Sequence, residues 1–227
     1  MSVKRRVALY GGTFDPVHLG HLEVARRVAE LFEIERVLFV PAQIAPHKLT
    51  RAVTAPLHRY AMLVLASQND PQLFVSTFEL DAPDRHYTVD TIAHFQSSFG
   101  DSTELFFIIG ADSWSEITTW RDWERLLTMT SHIVVTRPGY DVSNEHVGAF
   151  LRDRIVDLRS GDNDTGKIQQ LSGARIFVTD VVNKDISATE IRHVAIEGRF
   201  DDLNNLVPQP VAEYIKKYGI YRDSHEA

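Results

Sequence analysis

The 227-residue chain has no cysteine, which removes disulfides, thiolate nucleophiles and cysteine-bound zinc or iron–sulfur clusters from its chemistry. It has no surplus of positive charge either: 24 lysines and arginines stand against 31 aspartates and glutamates, a formal net charge of -7. A broadly basic face for nucleic acid is therefore missing, and any phosphate ligand must be held by a local focus of donors. No apolar run reaches the length needed to span a bilayer. The run behind the basic N-terminus, residues 7–10, is too short for a signal peptide. A soluble cytoplasmic protein without nucleic-acid or membrane partners is expected. Tryptophan is scarce, and all three copies, Trp114, Trp120 and Trp123, fall within ten residues. Internal repeats, low-complexity tracts and linkers are lacking, so the chain is expected to form one domain over residues 1–227, with 44% hydrophobic residues to fill its core.

What is present is concentrated in Gly11-Gly12-Thr13-Phe14-Asp15-Pro16-Val17-His18-Leu19-Gly20-His21. The apolar run before it predicts a strand, and apolar residues at helical spacing over 22–32 predict a helix after it. Glycines at such a turn permit unusual backbone conformations and close approach of a ligand. A helix N-terminus beyond them presents free N–H groups and the positive end of the helix dipole, which favour an anion. His18 and His21, three apart, fall on one side of the first turn and can both donate to phosphate oxygens. Gly20 between them keeps the surface low.

Further strands are predicted at residues 36–40, 73–76, 104–110, 132–137 and 175–179, after a first at 5–10, with helices over 19–32, 56–68 and 88–99. Alternating strands and helices, with continuous apolar strands such as Leu105-Phe106-Phe107-Ile108-Ile109, imply an α/β fold: a doubly wound parallel sheet with right-handed crossovers. Ligands of such folds bind beyond the carboxyl ends of the strands, where the strand order reverses. Several polar clusters fall there: His47-Lys48 after the second strand, Glu79 and then His86-Tyr87-Thr88 after the third, Gly110-Ala111-Asp112 after the fourth. Thr88 is the expected N-cap of its helix, and Arg59 reads as a solvated charge. Residues 147–155 suit one helix, whereas 160–172 have turn chemistry without a period. Ser187 with Glu190 three residues on makes a capping box, so a C-terminal helical part starts at about 187. Arg192, one turn into that helix, can bind phosphate oxygens in a bidentate way.

The glycine pair, Thr-Phe-Asp-Pro and His-x-Gly-His together resemble the signature of the nucleotidyltransferase superfamily, in the form of the bacterial nicotinate-nucleotide adenylyltransferases. Asp185-Ile186-Ser187-Ala188-Thr189-Glu190-Ile191-Arg192 is similar to that family's Ile-Ser-Ser-Thr-Glu-Ile-Arg, with Ala188 in place of the second serine. The third glycine of the dehydrogenase fingerprint is missing, which disfavours hydride transfer. The resemblance implies a Rossmann-like fold and adenylyl transfer from ATP to nicotinate mononucleotide, giving nicotinate adenine dinucleotide and pyrophosphate, with Mg2+ accompanying ATP. It assigns catalysis to His18, His21, Lys48 and Arg192, and ATP contacts to Gly11, Gly12, Thr13, Phe14, Gly20, Ile186, Ser187 and Thr189. Contacts to nicotinate mononucleotide fall to Asp15, His47, Thr88, Gly110, Asp112, Trp120, Arg121 and Arg137. Among these Thr88 meets the carboxylate, Trp120 stacks on the pyridine and Asp112 holds the ribose, while Trp114 and Trp123 pack. Ala45 and His86 depart from the family pattern, which has a proline and a serine there. A resident metal site is not expected, and a homodimer is compatible with the reading. Other acceptors stay open, namely nicotinamide mononucleotide and phosphopantetheine, as do a cytidylyl transferase, a nucleotide-binding regulatory module and a metal hydrolase built on the two histidines.

Overall fold

A computed structural model describes residues 4–43, 53–81, 86–136, 142–159, 173–182 and 186–222, and the structural statements that follow concern those residues. His47, Lys48 and Arg137 lie outside them, as do residues 160–172. The chain runs β1 (Arg5–Gly12), α1 (Leu19–Leu31), β2 (Arg36–Pro41), α2 (Pro56–Ser67), β3 (Leu73–Val75), α3 (Thr88–Phe99) and β4 (Thr103–Gly110). There follow α4 (Ala111–Ser115), a 3-10 turn (Ile117–Thr119), α5 (Trp123–Met129), β5 (Ser131–Val135), α6 (Ala149–Arg152), β6 (Ile155–Asp157) and β7 (Ile176–Thr179). The C-terminal part is α7 (Ala188–Ile196), α8 (Phe200–Leu203) and α9 (Gln209–Tyr218).

Seven strands form one sheet in the order β3-β2-β1-β4-β5-β7-β6, and every pairing is parallel. The order reverses between β1 and β4, so the crevice predicted for a ligand opens above the carboxyl ends of those two strands. Side chains of a strand point alternately to its two faces. Ala8 and Tyr10 accordingly join one buried cluster with α1, α2 and the C-terminal helices, while Val7 and Leu9 join another with α3 and α5. The same alternation divides Phe106 and Ile108 from Leu105, Phe107 and Ile109. Burying each such side chain is worth about 1.5–3 kcal/mol, which is why a parallel sheet needs helices on both faces.

Helix α1 buries Leu22, Ala25, Val28 and Ala29, one face at helical spacing. Helix α9 buries Val211, Ala212 and Ile215, packs on α2, and ends at Gly219, whose left-handed φ of 61° suits a helix stop. The capping box holds as far as Ser187, whose hydroxyl accepts from the Glu190 N–H at 3.1 Å.

The region from 147 to 157 departs from expectation. Only Ala149–Arg152 is helical, and Ile155–Asp157 is an edge strand paired to β7. Three residues carry too little pattern to announce a strand; the open edge of β7 supplies the hydrogen bonds that decide it. Thr88 likewise is the first residue inside α3; the cap position belongs to Tyr87, which makes no side-chain capping bond.

Candidate active site

β1 ends at Gly12 and α1 begins at Leu19, with His18 in the capping position in extended conformation. The His18 N–H donates to His21 Nδ1 at 3.3 Å, and the two rings stack with centroids 3.6 Å apart. An Nδ1 that accepts leaves the proton of the neutral His21 ring on Nε2, a donor for a phosphate oxygen. Gly20 is required by this stack: a Cβ there would come within 3.0 Å of His18 Nδ1 and 3.1 Å of Cε1.

The two other glycines of the turn line the cavity but do not use the unusual backbone conformations expected of them. Neither Gly11 nor Gly12 has a left-handed φ; both lie in β1. A Cβ on Gly11 would meet the Phe107 ring at 2.9 Å, and one on Gly12 the Phe14 ring at 2.9 Å. Aromatic side chains take the space, and the strained residue is Phe14 itself, at φ 51°.

Behind the turn lies a network of buried charge. Arg192 Nη1 donates to the Asp15 carbonyl at 2.6 Å and Nη2 to Thr189 Oγ1 at 2.8 Å. The Asp15 carboxylate accepts from the Tyr221 hydroxyl at 2.8 Å and from the Thr54 N–H at 3.3 Å. Burial and the adjacent Asp15 charge push the Tyr221 hydroxyl far above the usual phenol range, so it donates throughout the physiological interval. Arg59, expected at the surface, is fully buried. It donates to the carbonyls of Thr54 at 2.9 Å, Thr13 at 2.8 Å, Ala42 at 2.7 Å and Gln43 at 3.2 Å. Burial lowers the pKa of its guanidinium, and Asp15 opposes that shift.

The turn forms the floor of a cavity of about 560 Å3, within the range of small-ligand sites. Gly11, Gly12, Thr13 and Phe14 line it, with His18, Gly20, His21 and Ile186. Thr88, Gly110, Asp112, Trp120 and Arg121, from other segments, form a further part of its wall. The Arg121 guanidinium lies over the Tyr87 ring at 4.6 Å. Trp114 is fully buried and Trp123 packs against the core, so of the three tryptophans it is Trp120 that faces the cavity.

Asp15, Ser187, Thr189 and Arg192 do not line this cavity. Their polar atoms serve the network behind the turn and the cap of α7. Sequence reasoning missed Arg59 and Tyr221, and gave Glu79 a place in a polar cluster after the third strand but no role. Arg59 had a signal: it shares the buried stripe of α2 with Met62 and Leu63, three and four residues on. Glu79 lines the cavity and accepts from the buried Thr91 hydroxyl at 2.7 Å; burial raises its carboxyl to about 7. Among the described residues no group of three or more histidines, aspartates and glutamates converges as a metal site would need, and no helix is long and apolar enough to cross a membrane.

A strand-turn-helix that offers two histidines to a cavity at the switch point of a parallel sheet is suited to holding the phosphates of a nucleotide. Residues 9–194 match the family model described as cytidylyltransferase-like, and the chain belongs to that family. A relative from Thermoanaerobacter sp. (strain X514) that carries the name "Probable nicotinate-nucleotide adenylyltransferase" is 39% identical over 100% of this chain and 99% of its own. One of the same name from Corynebacterium jeikeium (strain K411) is 36% identical over 94% of this chain and 99% of its own. The Plasmodium falciparum nicotinic acid mononucleotide adenylyltransferase complexed with NaAD shares the fold, with a TM-score of 0.70 at 18% identity over 96% of this chain and 97% of that one.

Proposed function

We propose that this protein transfers the adenylyl group of ATP to the phosphate of nicotinate mononucleotide, giving nicotinate adenine dinucleotide and pyrophosphate, a step of NAD biosynthesis in the cytoplasm. The observation that carries the reading is that the stacked His18–His21 pair lines one cavity together with Thr88 and Trp120. The names of the full-length relatives support the same acceptor.

The chemistry asks little of the protein in covalent terms. An oxygen of the mononucleotide phosphate attacks the α-phosphorus of ATP, the bond from that phosphorus to the bridging oxygen breaks, and pyrophosphate leaves with the electron pair. The nucleophile is already an oxyanion, so no general base is needed; alignment of two anions and stabilisation of charge carry the rate. His21 Nε2–H and His18 meet the triphosphate, with Ile186, just before the cap of α7, closing that side. Lys48 holds the outer phosphates and His47 and Arg137 the mononucleotide phosphate. Mg2+, brought in with ATP as part of the substrate, would offset the charge of the pyrophosphate. Arg192 acts from behind the turn, holding the Asp15 carbonyl and with it the floor. Gly110 and Asp112 receive the ribose, and Trp120 and the Arg121 segment the pyridine. Assembly as a homodimer is part of the proposal and is read by sedimentation.

The test is pyrophosphate release from ATP with each candidate acceptor. Turnover that requires nicotinate mononucleotide supports the reading; release without an acceptor, or none with any acceptor, overturns it.

A further inference from the structure

One polar group of the cavity is used neither by the floor nor by the contacts the resemblance assigns. Glu79 lines the same cavity as Thr88 and Trp120. Its Oε1 accepts from the Thr91 hydroxyl at 2.7 Å, and Thr91, in the first turn of α3, is buried. That bond fixes the carboxyl against the helix and leaves Oε2 without a hydrogen-bond partner among the described residues. An anionic carboxylate at this place would oppose a second carboxylate, whereas a neutral one could donate to it.

We propose that Glu79 is a specificity-determining residue of the acceptor end. With its proton on Oε2 it donates to the carboxylate of an acid acceptor. Ionised, it repels that acceptor and accepts instead from the N–H2 of an amide. Discrimination between acid and amide mononucleotides therefore falls as the carboxyl loses its proton. The inference rests on the functional reading above, since it names what selects the acceptor at that same site. Burial, which raises the carboxyl to about 7, puts the change inside the working pH range.

Other charged groups face the same space and must be separated from it. His86 precedes α3, Asp112 and Glu116 come from the α4 segment, Arg121 from the turn after it, and His18 and His21 from the floor. On α3, Asp90 and His94 are exposed, and His94 stacks on the Phe78 ring. On the segment that carries Glu79, Asp81 is exposed. The two floor histidines act on phosphates that acid and amide acceptors share, so their titration cancels from a ratio of the two rates. His86 does not cancel, because an imidazolium there would also favour an acid.

The experiment measures kcat/KM for nicotinate mononucleotide and nicotinamide mononucleotide between pH 6 and 8.5 in the wild type, Glu79→Gln and His86→Gln. The acid-to-amide ratio is expected to fall about tenfold across that interval in the wild type, as a carboxyl with a pKa near 7 ionises. It should fall in the same way in His86→Gln and stay flat in Glu79→Gln, where the amide keeps both the Thr91 bond and a donor. A flat ratio in the wild type overturns the inference, as does an equal slope in Glu79→Gln or loss of the slope in His86→Gln. Transfer to nicotinate mononucleotide with parallel acid and amide profiles sinks this inference alone. Absence of transfer to either acceptor sinks the functional reading and this one with it.

Discussion

The floor of the cavity and its acceptor wall are built on opposite principles. The floor, residues 11–21, is held from behind by two buried guanidiniums and a half-buried tyrosine, and its glycines are fixed by the rings of Phe107, Phe14 and His18. The wall is assembled from separate segments, and Asp112 and Arg121 in it are exposed. A surface that must align reacting phosphates tolerates little displacement, whereas one that reads a ring can be built from side chains that adapt. The rigid half should therefore fail through stability or kcat, and the adaptable half through KM.

Breaking the support of the floor gives the largest effect. Arg59→Ala leaves the carbonyls of Thr13, Ala42, Gln43 and Thr54 without their shared donor. A loss of about 3–5 kcal/mol is expected in chemical denaturation, in the range found when one partner of a buried charged contact is removed. Next, His21→Ala removes a donor from the face of the floor. It should raise the barrier by about 2.7–4 kcal/mol, that is lower kcat about 10²- to 10³-fold, with thermal unfolding nearly unchanged. A His21 variant with normal turnover would move the chemistry elsewhere in the cavity.

The contrast also explains what the sequence disclosed. The sheet, its switch point and the His18–His21 turn are legible because apolar periodicity and a strand-to-helix turn are local properties. The cavity brings together most of the residues that a family resemblance would select, among them Thr88, Asp112 and Trp120. What stays illegible is whatever depends on contacts distant in sequence. Asp15 and Tyr221 lie 206 positions apart and meet only because α9 docks on α2. The short β6 exists only because β7 has an open edge. Glu79 has no pattern around it, and its importance comes from burial beside Thr91.

Smaller changes sharpen the division. Tyr221→Phe removes one hydroxyl from the Asp15 carboxylate while keeping the ring. It should cost about 1.5–3 kcal/mol of stability, the range for a hydrogen bond to a charged group, and should leave the KM for nicotinate mononucleotide within twofold.

The wall has the complementary test. Trp120 lines the cavity and packs by its other side against the core, so Trp120→Leu keeps apolar bulk and removes the flat ring. If the ring stacks on the pyridine, the loss is about 0.5–1.5 kcal/mol of acceptor binding. That is a rise of roughly two- to twelvefold in the KM for nicotinate mononucleotide, with the KM for ATP and kcat little changed. An equal rise in both KM values would mean that Trp120 holds the cavity open and does not read the acceptor. A fall in kcat alone would mean that wall and floor move as one body, and the division drawn between them would be lost.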